Sequence, residues 1–227
     1  MKFLSPNLHT VLKVVHQRCE VNGLAKLSGC ESATEKQPSL LSDGDTVRAV
    51  TLAGAFVPAL WATGGRELTM DEVKQFYTSE DFEVMKKLGV NTVQIPVPHD
   101  SLAGEGHVSD TLSHLIEKTS KAGLNAIIVL VKPKQEDTAD SHGGITGAAE
   151  FAEAYSSVIA IQLPAAEPSM LTAVRHVATN LPVLVPTNKG QLKTLSFPSD
   201  KYLFAALDVG AKTSVADIAS SDSLSDR

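Results

Sequence analysis

Hydrophobic and polar positions change their rhythm near Thr46. Ahead of it, Ser5 and Pro6 supply an N-cap and a first helical position, and Leu8, Val11, Leu12 and Val15 recur on one helical face. That pattern predicts a helix over residues 6–18. Residues 21–45 are rich in Ser, Gly, Glu and Lys without a sustained period, and read as an irregular connector. Beyond it, short apolar runs alternate with helical stretches. The predicted strands are Val47–Ala53, Val90–Val97, Leu124–Val131, Val158–Leu163, Pro182–Pro186 and Tyr202–Leu207. The helices between them have recognisable ends. Ser79 precedes Phe82, Met85 and Leu88, with Gly89 after; Asp110 precedes Leu112, Leu115 and Ile116, with Gly123 after; Ser169 precedes Leu171, Val174 and Val177. Strands that are apolar at nearly every position are buried on both faces, as parallel sheets covered by helices require. The pattern therefore predicts an α/β fold over residues 46–227, preceded by a helix and connector over 1–45.

Two closures fit this alternation, an open doubly wound sheet and a (β/α) barrel. An open dinucleotide-binding sheet wants a Gly-rich turn after its first strand, and Gly54-Ala55-Phe56-Val57-Pro58 lacks the required G-x-G-x-x-G spacing. Gly64-Gly65 and Gly143-Gly144 are lone pairs without a P-loop Lys and read as turns. No cofactor is implied.

Composition narrows the partners. The 227 residues are 43% hydrophobic, enough for a substantial core. A net charge of -6 with no long basic run argues against nucleic acid. The longest apolar stretches, such as Ala126–Val131 and Val158–Ile161, fall far short of the roughly 20 residues of a membrane-spanning helix, so the chain is expected not to be transmembrane. Ser5, Pro6, Asn7, His9 and Lys13 interrupt any signal-peptide core near the N-terminus. Cys19 and Cys30 have no neighbouring His or second Cys pair to complete a zinc set. They are either two thiols or a disulfide, and the disulfide would point to an organelle lumen or another extracytosolic compartment.

Several segments, in order, resemble the N-terminal two-thirds of the catalytic barrel of glycoside hydrolase family 5, and most of all its exo-β-1,3-glucanase branch. Val47 to Trp61 is similar to that family's first strand and following loop, and Asp81-Phe82 through Val97 to its first helix and second strand. Ala122 to Leu130 resembles the second helix and third strand, Ile161-Gln162-Leu163-Pro164-Ala165-Ala166-Glu167-Pro168 the fourth strand with its Asn-Glu-Pro signature, and Ala205-Ala206-Leu207-Asp208 the sixth strand. The resemblance implies an incomplete, TIM-like (β/α) barrel of about six parallel strands. It places Glu167 as the vestigial acid/base of a retaining mechanism, which also needs a nucleophilic carboxylate about 5–5.5 Å away. The family carries that nucleophile after a seventh strand, whereas this sequence ends at Arg227, soon after the sixth unit.

The surrounding positions depart from the family together. Gln94 stands for its Arg, Ala166 for its Asn, and Val131-Lys132-Pro133 for its His. Asp208-Val209-Gly210-Ala211-Lys212 replaces an expected His and Tyr. A preorganised donor or charge of this kind is worth roughly 10²- to 10³-fold in rate. The expectation is a catalytically inactive glycosidase-like protein that serves as a structural or accessory subunit of a larger assembly. The alternatives are a β-1,3-glucan exohydrolase whose nucleophile lies in a missing C-terminal portion, and a non-catalytic carbohydrate-binding domain with weak affinity for glucan.

Other candidate residues are weighed against plainer roles. Glu167 is a remnant acid or an exposed carboxylate at a strand end. Trp61, with Phe56 and Tyr77, is a sugar platform or core packing. His99, beside Asp100, and His142 would lie at the C-terminal face of a barrel and are the best remaining ligand candidates among scattered histidines; Asp208 ends the sixth strand. An unclosed barrel leaves unpaired backbone groups on its first and sixth strands. These edges are expected to be covered by residues 1–46 folding back, by partner protein chains, or by residues beyond Arg227.

Overall fold

The computed structural model describes residues 14–16, 47–52, 54–56, 68–102, 107–132, 141–187, 200 and 202–207. Its centre is a seven-stranded sheet of β1 (Val14–His16), β2 (Ala49–Thr51), β3 (Thr92–Pro98), β4 (Asn125–Val131), β5 (Val158–Gln162), β6 (Val183–Thr187) and β7 (Leu203–Leu207). The order across the sheet is β1-β7-β6-β5-β4-β3-β2. From β2 to β7 every strand lies parallel to its predecessor in the chain. A doubly wound sheet reverses its order at a switch point, whereas a barrel winds one way throughout. The order never reverses here, which selects the barrel-type winding and confirms the α/β fold with six parallel strands.

The helices follow from local signals. In α1 (Met70–Phe76), Thr69 and Glu72 cap reciprocally: the Thr69 N–H donates to the Glu72 carboxylate at 2.9 Å and the Glu72 N–H to the Thr69 hydroxyl at 3.3 Å. In α2 (Ser79–Lys87), the Asp81 carboxylate accepts from the N–H and hydroxyl of Thr78. This helix and α3 (His107–Lys121) both end in a left-handed glycine, Gly89 at φ 83° and Gly123 at φ 70°. In each case the next N–H reaches back five residues, from Val90 to Met85 and from Leu124 to Thr119, turning the chain directly into β3 and β4. The remaining helices are α4 (Ser141–Ala154) and α5 (Pro168–Val177), the latter with proline in its first turn; a 3₁₀ turn over His99–Leu102 follows β3. Among the described residues no helix is long and apolar enough to cross a membrane.

Alternation along the strands divides the core in two. Val93, Ile95, Val97, Ala126, Ile128, Leu130, Ile161, Leu163, Val183 and Val185 pack under the helices with Phe82, Leu112, Leu115, Ile145 and Val174. The opposite, inward face is lined by Ala49, Ile127, Ile159, Ala160, Leu184, Phe204 and Ala206. A bulge sets this face. Ala126 pairs with Val158 but Ile127 with Ala160, so Ile159 is the extra residue and joins Ala160 on the inward side.

One expectation fails. Of the helix predicted over 6–18, residues 14–16 form a strand, antiparallel to β7, with Val14 opposite Ala206, Val15 opposite Ala205 and His16 opposite Phe204; the rest lies outside the described residues. Two adjacent β-branched valines suit a strand, and the outer edge of β7 offers unpaired backbone groups, so tertiary pairing overrides a short helical pattern. At this edge, the covering element is the chain's own N-terminal segment.

Candidate functional site

In parallel barrels, chemistry sits where the strands end and the loops begin. The register shows which side chains point into the mouth there. Thr51, Gln94, Ile127 and Ala160 stand side by side on the inward face, followed toward the strand ends by Pro96, Val129, Gln162, Leu184 and Phe204, and then by Pro98, Val131, Pro186 and Ala206. On this face the described residues of β2 to β7 carry no ionisable group; His16 of β1 stands opposite Phe204 at its edge. Its polar members include a hydrogen-bonded pair, in which the Thr51 hydroxyl donates to Gln94 Oε1 at 2.9 Å, with Gln94 buried. Gln94, read as the replacement for a fixed cation, is thus bound by a neutral neighbour.

Glu167 occupies the N-cap of α5, after β5, with no side-chain capping bond. Its carboxylate lies 3.9 Å from the ammonium of Lys132, the residue following β4, and both side chains are at least half exposed. Ala166 beside it is half-buried against the core. Enzymes keep a carboxyl protonated for acid catalysis by enclosing it in apolar surroundings. Glu167 has an open, cation-facing setting instead.

His99 follows β3 and is almost wholly buried, at 4% exposure, with Nδ1 lacking a hydrogen-bond partner among the described residues. Burial pushes its pKa below the ordinary histidine value; Asp100 opposes this and Lys132 adds to it. Its backbone is clamped from the other side. A Cβ at Gly144, on the first turn of α4, would overlap the His99 carbonyl. The 3₁₀ turn and α4 therefore touch backbone to backbone, a contact only glycine permits.

Of the sequence candidates, the structure places Glu167 and His99 on the same face, through Lys132, which pairs with the first and acts electrostatically on the second. His142 lies on the first turn of α4, its side chain outside the described residues; Trp61 and Asp208 lie wholly outside them. Phe56 and Tyr77 belong to the core cluster. Burial, and then Asp81, raise the phenol of Tyr77 well above its ordinary pKa. Among the described residues no three His, Cys, Asp or Glu side chains gather as a metal set. Lys132 and Gly144 are the residues the sequence reading undervalued: the first figured only as the substitute for a histidine, the second only as part of a turn.

No protein-family profile matches the chain, and no characterised protein matches it in sequence. Solved structures do match its fold. Cel5A of Thermotoga maritima, determined with a mannotriose substrate, is similar over 69% of this chain at 15% identity and a TM-score of 0.51. The β-glucosidase of Thermotoga maritima in complex with glucoimidazole gives 11% identity and a TM-score of 0.38, covering 62% of this chain and 48% of its own. The virulence factor SghA, bound to the substrate analogue salicin, gives 13% identity and 0.40, covering 62% and 46%. The present chain spans 58% of the length of Cel5A. At this identity the likeness to Cel5A shows the fold alone: part of a (β/α) barrel.

Proposed function

We propose that this protein is a non-catalytic relative of family 5 glycosidases, retained as a structural or accessory subunit of a protein assembly. The observation that carries the proposal is the setting of Glu167, exposed at a helix N-cap, facing the Lys132 ammonium, beside an inward face on which the described residues of the parallel strands β2 to β7 hold no ionisable group. A retaining glycosidase needs an enclosed acid and an opposed carboxylate about 5–5.5 Å away. It also needs polar neighbours that gain strength in the transition state. Val129, Leu184, Phe204 and Ala206 on the inward face supply packing instead.

The test is hydrolysis of laminarin and aryl β-glucosides by the purified chain beside its Glu167→Gln variant. The expected result is no turnover by either. Turnover by the parent that the substitution abolishes overturns the proposal. The assembly half is tested by the native mass of the protein isolated from its source. A mass well above 24.0 kDa that includes other chains is expected; a free monomer contradicts it.

One observation favours a second reading: the chain spans 58% of the length of Cel5A. In that reading the nucleophile lies on a further C-terminal portion and the protein is a β-glucan exohydrolase. A longer transcript encoding a glutamate after a seventh strand supports it.

A further inference from the structure

The sheet ends on β7, where a barrel of this winding would continue with a seventh parallel strand. That place is taken by β1, which runs the opposite way and comes from the other end of the chain. The occupant is shorter than the edge. β7 is paired with β6 at all five positions Leu203–Leu207, whereas among the described residues β1 faces Phe204, Ala205 and Ala206. The Tyr202 carbonyl accepts from Val183 of β6, so alternation turns the backbone groups of Ala205 outward, opposite Val15. The β1 contact thus centres on one residue pair. No tight turn enforces it: β1 ends at residue 16, β2 begins at residue 49 on the far edge of the sheet, and β7 begins at residue 203. Closing so long a connection costs entropy comparable to the net worth of a few edge hydrogen bonds.

We infer that the outer edge of β7 is a strand-docking site, that β1 is its built-in and displaceable occupant, and that an extended segment of a partner protein takes its place. The partner segment is Pro-free, β-branched, antiparallel to β7 and long enough to cover Leu203–Leu207. The edge offers five positions where β1 uses three among the described residues, so a longer strand gains pairs beyond those three. Displacement also frees the N-terminal segment, making docking at β7 a switch for residues before β2. The assembly reading bears only on which protein supplies the strand; the exchange itself is a property of the isolated chain.

The test uses the full chain and a fluorescent peptide carrying residues 9–18. Val15→Pro removes the N–H opposite Ala205 and clears the chain's own strand from the edge. Anisotropy is expected to show the peptide binding Val15→Pro at least tenfold tighter than the parent. Equal affinity, or no binding by either, overturns the inference. If Val15→Pro does not fold, hydrogen exchange on the parent decides. The Ala205 amide is expected to exchange at least tenfold faster than those of Ile128 and Val129 in β4, and equal protection means that β1 is fixed. If the parent runs as a dimer that Val15→Pro dissolves, the occupant is β1 of a second copy and the partner assignment is overturned. Because hydrolysis plays no part in these readouts, their failure is distinct from failure of the non-catalytic reading.

Discussion

The two ends of the parallel strands are built to different standards. At the N-terminal end, polar groups interlock. The Arg48 N–H donates to Asn91 Oδ1 at 2.8 Å and its guanidinium to the Gly89 carbonyl, while the Asn91 carbonyl accepts from the N–H of Asn125 at 2.9 Å. Lys86 donates to the Ala122 carbonyl at 2.7 Å. Arg175 forks onto both oxygens of Asp200 and donates as well to the carbonyls of Ala178 and Leu181, and Asp200 accepts the N–H of Tyr202. At the C-terminal end, Lys132 and Glu167 meet loosely in solvent and His99 keeps an unpaired nitrogen among the described residues. In barrels the first end holds the fold and the second carries the chemistry. Among the described residues the interlocking polar contacts gather at the fold-holding end, the division that the proposed non-catalytic role expects.

The N-terminal network depends most on Arg175. Its side chain and that of Asp200 are only 19% and 12% exposed, and the pair ties α5 to the entries of β6 and β7. Arg175→Ala is expected to cost about 3–5 kcal/mol in urea unfolding by stranding a largely buried carboxylate. Arg175→Lys is expected to recover little, because an ammonium cannot fork onto the carboxylate and both carbonyls at once. A loss under about 1 kcal/mol would mean that the N-terminal network is ornamental.

Gly144→Ala comes next. Overlap with the His99 carbonyl forces α4 away from the 3₁₀ turn, and overpacking of this kind costs about 1–3 kcal/mol. Faster hydrogen exchange over residues 99–102 is the accompanying expectation. Unchanged stability would show that α4 yields without cost.

A smaller effect concerns pH. Burial lowers the pKa of His99 in the folded chain, so the neutral ring is favoured there. Its contribution is fully present above the unfolded histidine pKa of about 6.5 and is lost as pH falls below that value toward the depressed folded one. His99→Gln is expected to flatten the fall in melting temperature below pH 6.5. An unchanged profile would mean that the loss arises elsewhere.

The solvent-exposed pair at the other end matters least. Lys132→Ala and Glu167→Gln are each expected to change unfolding free energy by no more than about 0.5 kcal/mol, since both groups are at least half exposed and 3.9 Å apart. A larger loss would show that the pair secures the mouth.

Much of this architecture is legible in the sequence because its signals are local. Uniformly apolar runs mark β3 to β7 within a residue or two of their ends, and Gly89 and Gly123 mark the ends of α2 and α3 by the conformation they supply. What depends on distant partners is not legible. The choice between barrel and doubly wound sheet lies in the strand order, and the strand at Val14–His16 lies in an edge offered by β7, near the other end of the chain. The short α1 announces itself only through Thr69 and Glu72. At the site, Glu167 and His99 are visible as residue types, but the pairing of Glu167 with Lys132 and the approach of Gly144 to His99 arise from the winding that brings successive strand ends together.

The most direct measurement is covalent trapping. A retaining glycosidase passes through a glycosyl-enzyme ester on its nucleophile, and an activated 2-deoxy-2-fluoro-β-glucoside accumulates that ester. Intact-mass analysis of the purified chain after prolonged incubation is expected to show an unchanged mass. A stoichiometric gain of one fluoroglucosyl unit on a carboxylate side chain would contradict the proposed loss of catalysis.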